Sequence, residues 1–358
     1  MDQEIIIIGG GIIGMLTARE LHFNGFKVTL LEKGQLGYES SWAGGGILSP
    51  IYPWHEPNSV NQLVAWSQQH YQTLCQIVRE ESGVDSEWAQ CGLLTLDVVE
   101  QTQIQSWANH WNISTTLIQL NHEQWPQGLI GESGFHLPKI AQVRNPRLMQ
   151  GLRLYLRKLG ITIKENCEIT KLVIRNGSVA EVVTKTQKFI THQIIITAGA
   201  WSGQLLESIG VHIPITPVRG QMIAFKSNTQ LLSQIVVAHG HYLIPRIDGH
   251  ILVGSTIEHQ GFNKLTTQEA RKGLQKFAYS LMPYLKSLPI AYHWAGLRPG
   301  SSHGIPYIGA IPSIKGLYLN AGHFRNGIVT APASARLLTD IILQRDPILD
   351  PTPYALDR

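Results

Sequence analysis

Gly9, Gly11 and Gly14 stand in the spacing G-x-G-x-x-G, and Glu32 follows them. This is chemistry for a dinucleotide. Glycine is required there because the turn is tight, the backbone must approach a pyrophosphate, and the helix must pack closely on the sheet. Free N–H groups and the positive end of the helix then face the phosphates. Glu32 lies near the roughly 20-residue distance at which a carboxylate takes ribose hydroxyls and repels a 2′-phosphate, which disfavours NADP. FAD and NAD share this fingerprint. Two later segments favour FAD. Ala198-Gly199-Ala200-Trp201 ends a strand late in the chain, where a dinucleotide needs a second glycine approach. Gly322-His323-Phe324-Arg325-Asn326-Gly327 precedes the last helix. A glycine-rich helix N-terminus suits the pyrimidine edge of a flavin, whose reduced form carries negative charge near N1.

The elements that must position these residues read as follows. Residues 5–8 are a short β-branched run that enters glycines, a buried parallel strand. Residues 12–23 follow helical periodicity and 28–31 are a second strand, which completes a βαβ unit of about 30 residues. Residues 34–49 read as a glycine- and serine-rich loop. Helices are expected at 59–81, 100–111, 146–159, 266–285 and 328–343. Strands are expected at 161–164, 169–175, 179–184, 193–197, 292–296, 307–310 and 317–320, with alternating strands across 213–254. Asn176-Gly177 is a strong hairpin signal. The fold class is therefore α/β with an α+β second part: a Rossmann-like dinucleotide domain interleaved with an antiparallel β-sheet substrate domain. The expected boundaries are 1–54, 141–212 and 298–358 for the first, and 55–140 and 213–297 for the second.

Composition narrows the class. The chain has 358 residues, 43% hydrophobic and 15% charged, as in a globular enzyme large enough for two cores. The net charge is +4 with no basic run, which excludes a nucleic-acid footprint and suits an anionic small substrate. Cys75, Cys91 and Cys167 lie far apart with no CxxC pair, so neither a disulfide scaffold nor a zinc site is expected. His239 and His241 alternate on an expected strand and point to opposite faces, so no metal site is expected there either. The acidic start Met1-Asp2-Gln3-Glu4 does not resemble a signal peptide, and no apolar window is long enough to span a membrane. A cytoplasmic location is expected.

A set of motifs carries a resemblance over essentially the whole chain. They are Ile7-Ile8-Gly9-Gly10-Gly11-Ile12-Ile13-Gly14, Ser40-Ser41-Trp42-Ala43-Gly44-Gly45-Gly46, Pro217-Val218-Arg219-Gly220-Gln221, Tyr242-Leu243-Ile244-Pro245-Arg246, Trp294-Ala295-Gly296-Leu297-Arg298-Pro299-Gly300, Pro306-Tyr307-Ile308-Gly309, and Gly322-His323-Phe324-Arg325-Asn326-Gly327-Ile328. In order and spacing they resemble the D-amino-acid oxidase family of flavoproteins, and most closely its bacterial glycine oxidase branch of thiazole (thiamine) biosynthesis. The resemblance implies non-covalent FAD, lined by Gly9, Gly11, Gly14, Glu32, Ser40, Ser41, Gly45 and Gly46. It implies that Ile169 meets the adenine through its backbone and that Gly327 and Ile328 face the flavin. No cysteine lies beyond Cys167, where covalently flavinylated relatives carry their anchor. Relatives form homo-oligomers, often tetramers, so a homo-oligomer is expected.

The implied reaction moves a hydride from the Cα of a small amino acid to flavin N5, with oxygen re-oxidising the flavin to give hydrogen peroxide. The protein then mainly orients the substrate, and its essential group is a carboxylate anchor. Arginine suits that role because its planar fork makes two parallel hydrogen bonds. Arg298 is the first candidate, at the end of its expected strand with an open approach between Gly296 and Pro299-Gly300. Tyr242 is the second, donating its hydroxyl to the same carboxylate, and Arg325 adds positive charge. Gly240 and Ile257 are expected to face the substrate and to widen its pocket, which keeps sarcosine and small D-amino acids beside glycine as substrates. Two other readings stand beside the oxidase: a dehydrogenase of the same fold that uses a quinone or protein acceptor, and a flavin-binding protein without catalysis.

Overall fold

Ile5, Ile6, Ile7 and Ile8 are all buried, and alternate members of the run enter two different cores. A strand buried on both faces has no polar side to show, hence four consecutive isoleucines. The structure, a computed structural model, describes residues 4–120 and 128–358. Strand Glu4–Ile8 lies within a six-stranded sheet ordered Tyr307–Ala310, Leu317–Ala321, Ile194–Ile196, Glu4–Ile8, Lys27–Leu31, Thr162–Lys164. All neighbours are parallel except the edge strand Tyr307–Ala310. Helices Ile12–Phe23, Asn58–Ser82, Asn145–Lys158 and Gly327–Ile342 share the core on the Ile5 and Ile7 face. The opposite face is covered by the meander Ile169–Arg175, Ser178–Thr184 and Lys188–Ile190, which buries Leu172, Val179 and Val182 against Ile6 and Ile8. Its first turn has Asn176 and Gly177 both at positive φ, as an Asn-Gly hairpin requires.

A second sheet has eight strands in the order Ile290–Gly300, Thr216–Lys226, His250–Gly254, His241–Pro245, Ile235–Ala238, Leu93–Thr95, Ser133–Leu137, Thr116–Gln119. Its pairings are antiparallel except between Ile235–Ala238 and Leu93–Thr95. The period of two divides its side chains. Ile223, Leu243 and Val253 pack under helix Gln268–Leu281. Met222, Tyr242 and Ile244 form the other core, on the face turned toward the site described below.

The expected elements recur, with four differences. The loop 34–49 contains a short helix, Ser40–Ala43, which places Ser40 and Ser41 beside the first helix. The helix expected over 266–285 stops at Leu281, because Pro283 disfavours helical geometry at Met282, which is extended at φ −137° and ψ 87°. The strand expected over 292–296 runs from Ile290 to Gly300, so Arg298 lies within it, short of its end. Pro299 is tolerated there because this is an edge strand. Helix Asn58–Ser82, expected with the substrate-binding residues, buries Val60, Leu63, Tyr71 and Val78 in the core of the dinucleotide sheet.

The tightest contact of the first βαβ unit is at Gly14. A Cβ there would stand 1.9 Å from the carbonyl oxygen of Gly9 and 2.7 Å from Thr197 Oγ1. The Thr197 hydroxyl itself lies 2.8 Å from that carbonyl oxygen and donates to it. Gly14→Ala therefore forces helix Ile12–Phe23 off its sheet. It is expected to lower the unfolding free energy by roughly 1–3 kcal/mol, the usual penalty for overpacking. Chemical denaturation reads this, and an unchanged midpoint would show that the helix has room to shift.

Candidate active site

A cleft of ≈ 390 Å³ crosses the C-terminal ends of the parallel strands. Gly9, Gly11, Glu32, Ser40, Ser41, Ile169, Gly327 and Ile328 line it, as the sequence leads one to expect. Gly14 stands behind the cleft and serves the helix contact just described. Gly45 and Gly46 line an adjoining smaller cavity instead. Glu32 is 8% exposed. Its Oε2 accepts from the Gly10 N–H at 2.7 Å and its Oε1 from the Gly34 N–H at 2.8 Å. A carboxylate has about four acceptor positions, so capacity remains for ribose hydroxyls. Ser41 Oγ accepts from the N–H of Ile12 at 3.0 Å, and a Cβ on Gly11 would lie 3.1 Å from that oxygen.

These residues fit FAD. The glycine turn is bare where a pyrophosphate approaches, and an acid stands ready for a ribose. Helix Gly327–Ile342 starts at the cleft wall with Gly327 and Ile328. Asn320 Oδ1, His323 Nε2 and Arg325 Nη2 belong to the lining and have no hydrogen-bond partner, so polar capacity is left for a ligand. Phe324, at φ 45°, turns the loop, and its N–H donates to Pro299 O at 2.9 Å, which fixes Arg325 beside the Arg298 strand. Cys167 also lines the cleft, next to Ile169, and burial pushes its thiol above the ordinary range.

The adjoining cavity is small, ≈ 90 Å³. It shares Ser40, Gly44, Arg298, Arg325 and Ile328 with the cleft. Arg298, Tyr242 and Arg325 all line it, so the expected anchors converge. Arg298 donates from Nη2 to Ser255 Oγ at 2.6 Å and from Nη1 to Thr256 O at 3.0 Å. Both acceptors are neutral. Burial pushes its guanidinium down to about 10, Tyr242 acting to raise it and Arg325 to lower it. Its guanidinium lies flat over Gly220, where a Cβ would come within 2.2 Å of Nη2. The flanking residues hold the acceptors: Arg219 Nε donates to Glu258 Oε2 at 2.9 Å, and the Gln221 N–H donates to Thr256 Oγ1 at 2.9 Å. The Arg219-Gly220-Gln221 motif is thus a bare platform between two clamps on the loop that presents Ser255 and Thr256.

Gly240 and Ile257 line neither cavity. Gly240 sits at φ 76° in the turn before strand His241–Pro245, and its N–H donates to Tyr52 Oη at 2.6 Å. Ile257 is 49% exposed. His239 lies in the same turn at φ 49°, not on the strand, with Nδ1 3.4 Å from Asp97 Oδ1. Among the described residues no cluster of His, Cys, Asp and Glu could hold a metal ion. No described helix is long and apolar enough to cross a membrane.

Residues to which the sequence reading gave no role also serve the site. Arg246 is buried, and it donates to Gly45 O at 2.7 Å, Gln142 Oε1 at 2.7 Å and Val143 O at 3.0 Å. It pins the glycine loop to the large sheet, and burial pushes its guanidinium down to about 10. Its place in the Tyr-Leu-Ile-Pro-Arg motif was the available signal. Glu56 faces Asn326 and Arg325, and burial raises its carboxyl above the ordinary range. Nothing in the local sequence announces that contact.

The chain matches the family described as DAO, FAD dependent oxidoreductase, over residues 4–341. It is similar to the glycine oxidase of Pseudomonas aeruginosa, 44% identical over 99% of this chain and 99% of that protein. It is also similar to the bifunctional protein ThiO/ThiG of Synechocystis sp., 31% identical over 96% of this chain and 52% of that protein. Among solved structures, glycine oxidase from Geobacillus kaustophilus superposes with a TM-score of 0.94 at 24% identity, covering 99% of each chain, a likeness of fold.

His323 gives the site a pH signature. Burial pushes its imidazole down to about 3. Between that value and the unfolded histidine range the unfolded chain binds a proton and the native one does not, so stability falls as pH falls. From about pH 6 to about pH 4 the apoprotein is expected to lose roughly 1.4 kcal/mol per pH unit more than His323→Gln does. Urea unfolding of both proteins across that window measures the difference, and parallel curves would rule out a neutral buried His323.

Proposed function

This chain belongs to the family of FAD-dependent oxidoreductases, and on that premise we propose that it oxidises glycine to its imine, with oxygen as the electron acceptor. The observation that carries the reading is the small cavity. Two arginines and a tyrosine converge on ≈ 90 Å³ beside the dinucleotide cleft. That space is far below the ~300 Å³ at which sites for drug-sized ligands begin.

FAD in the cleft supplies the hydride acceptor and, with oxygen, the route to hydrogen peroxide. The chain supplies the rest. Arg298 has spent two donors on neutral oxygens and keeps the others for a carboxylate. Tyr242 Oη, 3.5 Å from Met222 Sδ, donates to the same carboxylate when substrate arrives. Arg325 adds a second cation at the cavity wall. No Asp, Glu, His or Lys lines this cavity among the described residues. The site therefore holds no base for the substrate, and its positive field favours a neutral amine over an ammonium. Burial of the carboxylate end by two guanidinium groups fixes Cα, which is the protein's part in the acceleration.

The Pseudomonas aeruginosa relative named above is a glycine oxidase, which supports oxygen over a quinone or protein acceptor. The likeness to ThiO/ThiG supports supply of the imine to thiazole formation in thiamine biosynthesis. The same reading includes a cytoplasmic enzyme that assembles as a homo-oligomer and holds FAD without a covalent bond. Its two interleaved units are 1–54, 141–212 and 298–358 for FAD, and 55–140 and 213–297 for substrate, with helix Asn58–Ser82 docked on the first.

Anaerobic glycine is expected to bleach the flavin absorbance, and air is expected to restore it with release of hydrogen peroxide. Bleaching reversed by a dye but not by air would make the chain a dehydrogenase. Bleaching by D-alanine or sarcosine alone would move the substrate. Arg298→Ala is expected to weaken substrate binding by ~2–3 kcal/mol, or roughly 30- to 150-fold, while FAD stays bound. An unaltered glycine affinity in that variant would remove Arg298 from the site.

A further inference from the structure

Across the large sheet, register sets Trp294 opposite Met222, Met222 opposite Gly254, and Gly254 opposite Tyr242. Gly254 leaves this row open in the middle. A Cβ there would stand 2.7 Å from Tyr242 Cε2 and 2.8 Å from Tyr242 Oη. The phenol lies across the bare position, and its hydroxyl donates to Met222 Sδ at 3.5 Å. Tyr242 and Met222 are 6% and 3% exposed, so their contact is sealed from bulk water. Both line the small cavity.

Two properties of the thioether bear on the reaction. Sulfur is a weak acceptor, so it keeps the hydroxyl in place without competing with a carboxylate, whose hydrogen bonds are roughly twice as strong as neutral ones. The methionine side chain is also long and unbranched, and fills irregular space well. Of this row only Met222 and Tyr242 line the cavity, and Gly254 between them carries no side chain, so the row meets the cavity through the Met222 side chain and the Tyr242 ring. Gly45 repeats the pattern on the other side: a Cβ there would lie 3.3 Å from the Tyr242 ring and 2.7 Å from Ile244 Cδ1.

We propose that Met222 is the specificity-determining residue of this site: its side chain fills the space that a substituent on the substrate Cα would need, and its sulfur holds the Tyr242 hydroxyl where the substrate carboxylate collects it. The inference rests on the amino-acid oxidation reading above and names the residue that sets substrate size within it. Met222 acts on the carboxylate through Tyr242, as a positioning residue, and on the Cα substituent by contact.

The test compares holoenzymes of the wild type, Met222→Ala, Met222→Val and Met222→Leu, with kcat and KM measured for glycine and for D-alanine by hydrogen peroxide release. Flavin absorbance confirms that each variant holds FAD. Met222→Ala is expected to raise the D-alanine-to-glycine ratio of kcat/KM by about tenfold or more, the scale of one methyl group in an apolar pocket. Met222→Val is expected to fall between, and it carries the comparison if the alanine variant does not fold. Met222→Leu keeps the volume without the sulfur. It is expected to hold the wild-type ratio while KM for glycine rises more than kcat falls. A ratio unmoved in FAD-loaded Met222→Ala or Met222→Val overturns the size role, and a glycine KM unmoved in Met222→Leu overturns the positioning role. A wild type that oxidises neither amino acid overturns the oxidation reading, and the role of Met222 with it; that result shows in the parent enzyme before any variant is compared.

Discussion

The guanidinium of Arg298 occupies the space in which any residue but glycine at position 220 would carry a side chain. Around this one packing constraint the rest of the substrate side is arranged. A buried cation beside an apolar wall needs hydrogen bonds, and Arg298 donates to the neutral oxygens of Ser255 and Thr256. The loop that offers them must then be held, and Arg219 and Gln221 hold it through Glu258 and Thr256. Because neither acceptor is a carboxylate, the charge remains available to a ligand. A carboxylate partner within the protein would have satisfied Arg298 and removed its function.

The same device recurs for the second anchor. Tyr242 lies across Gly254 and against Gly45, so both large polar side chains rest on bare backbone. A pleated sheet normally lifts its side chains away from the surface. Removing the neighbouring side chain lets a long one lie down, and a cavity of ≈ 90 Å³ can then carry three donors on its wall. Arg246 completes the arrangement from beneath by tying the glycine loop at Gly45 to the large sheet. The two sheets are therefore joined at the place where a substrate must meet a cofactor.

On the dinucleotide side the constraint is different. Close approach, not charge, sets the residue types: Gly14 because its helix touches Gly9 O, and Gly9 because Thr197 lies against it. The Thr197 hydroxyl locks the turn to the neighbouring strand. The helix Gly327–Ile342 brings its start and the turn at Phe324 to the far end of the cleft, beside Arg298. The cleft and the cavity share Arg298 and Arg325, so the positive charge that holds a carboxylate also lies near the cofactor.

Local patterns determined a large part of this protein. The isoleucine run, the glycine turn, the acid at Glu32 and the Asn176-Gly177 hairpin are short-range signals, and each forms in the structure the element it specifies. Periodicity found helix Asn145–Lys158 because burial of one face repeats along the chain, whereas helix Ile12–Phe23 is buried at every residue from 12 to 18. Arg298, Tyr242 and Arg325 were legible as chemistry through their motifs, and they do share one cavity. Distances across the sheet were not legible. Gly240 and Ile257, taken as pocket walls, lie in a turn and on the surface, because where a strand ends and which way its neighbour faces depend on register. The roles of Arg246 and Met222 were hidden for the same reason: each acts on residues far away in the chain, on Gly45 and on Tyr242. Sequence set which residues could bind, turn or pack; only the tertiary structure decided which bare glycine each large side chain would lie on, since that is fixed by the pairing of strands and not by the order of residues within one.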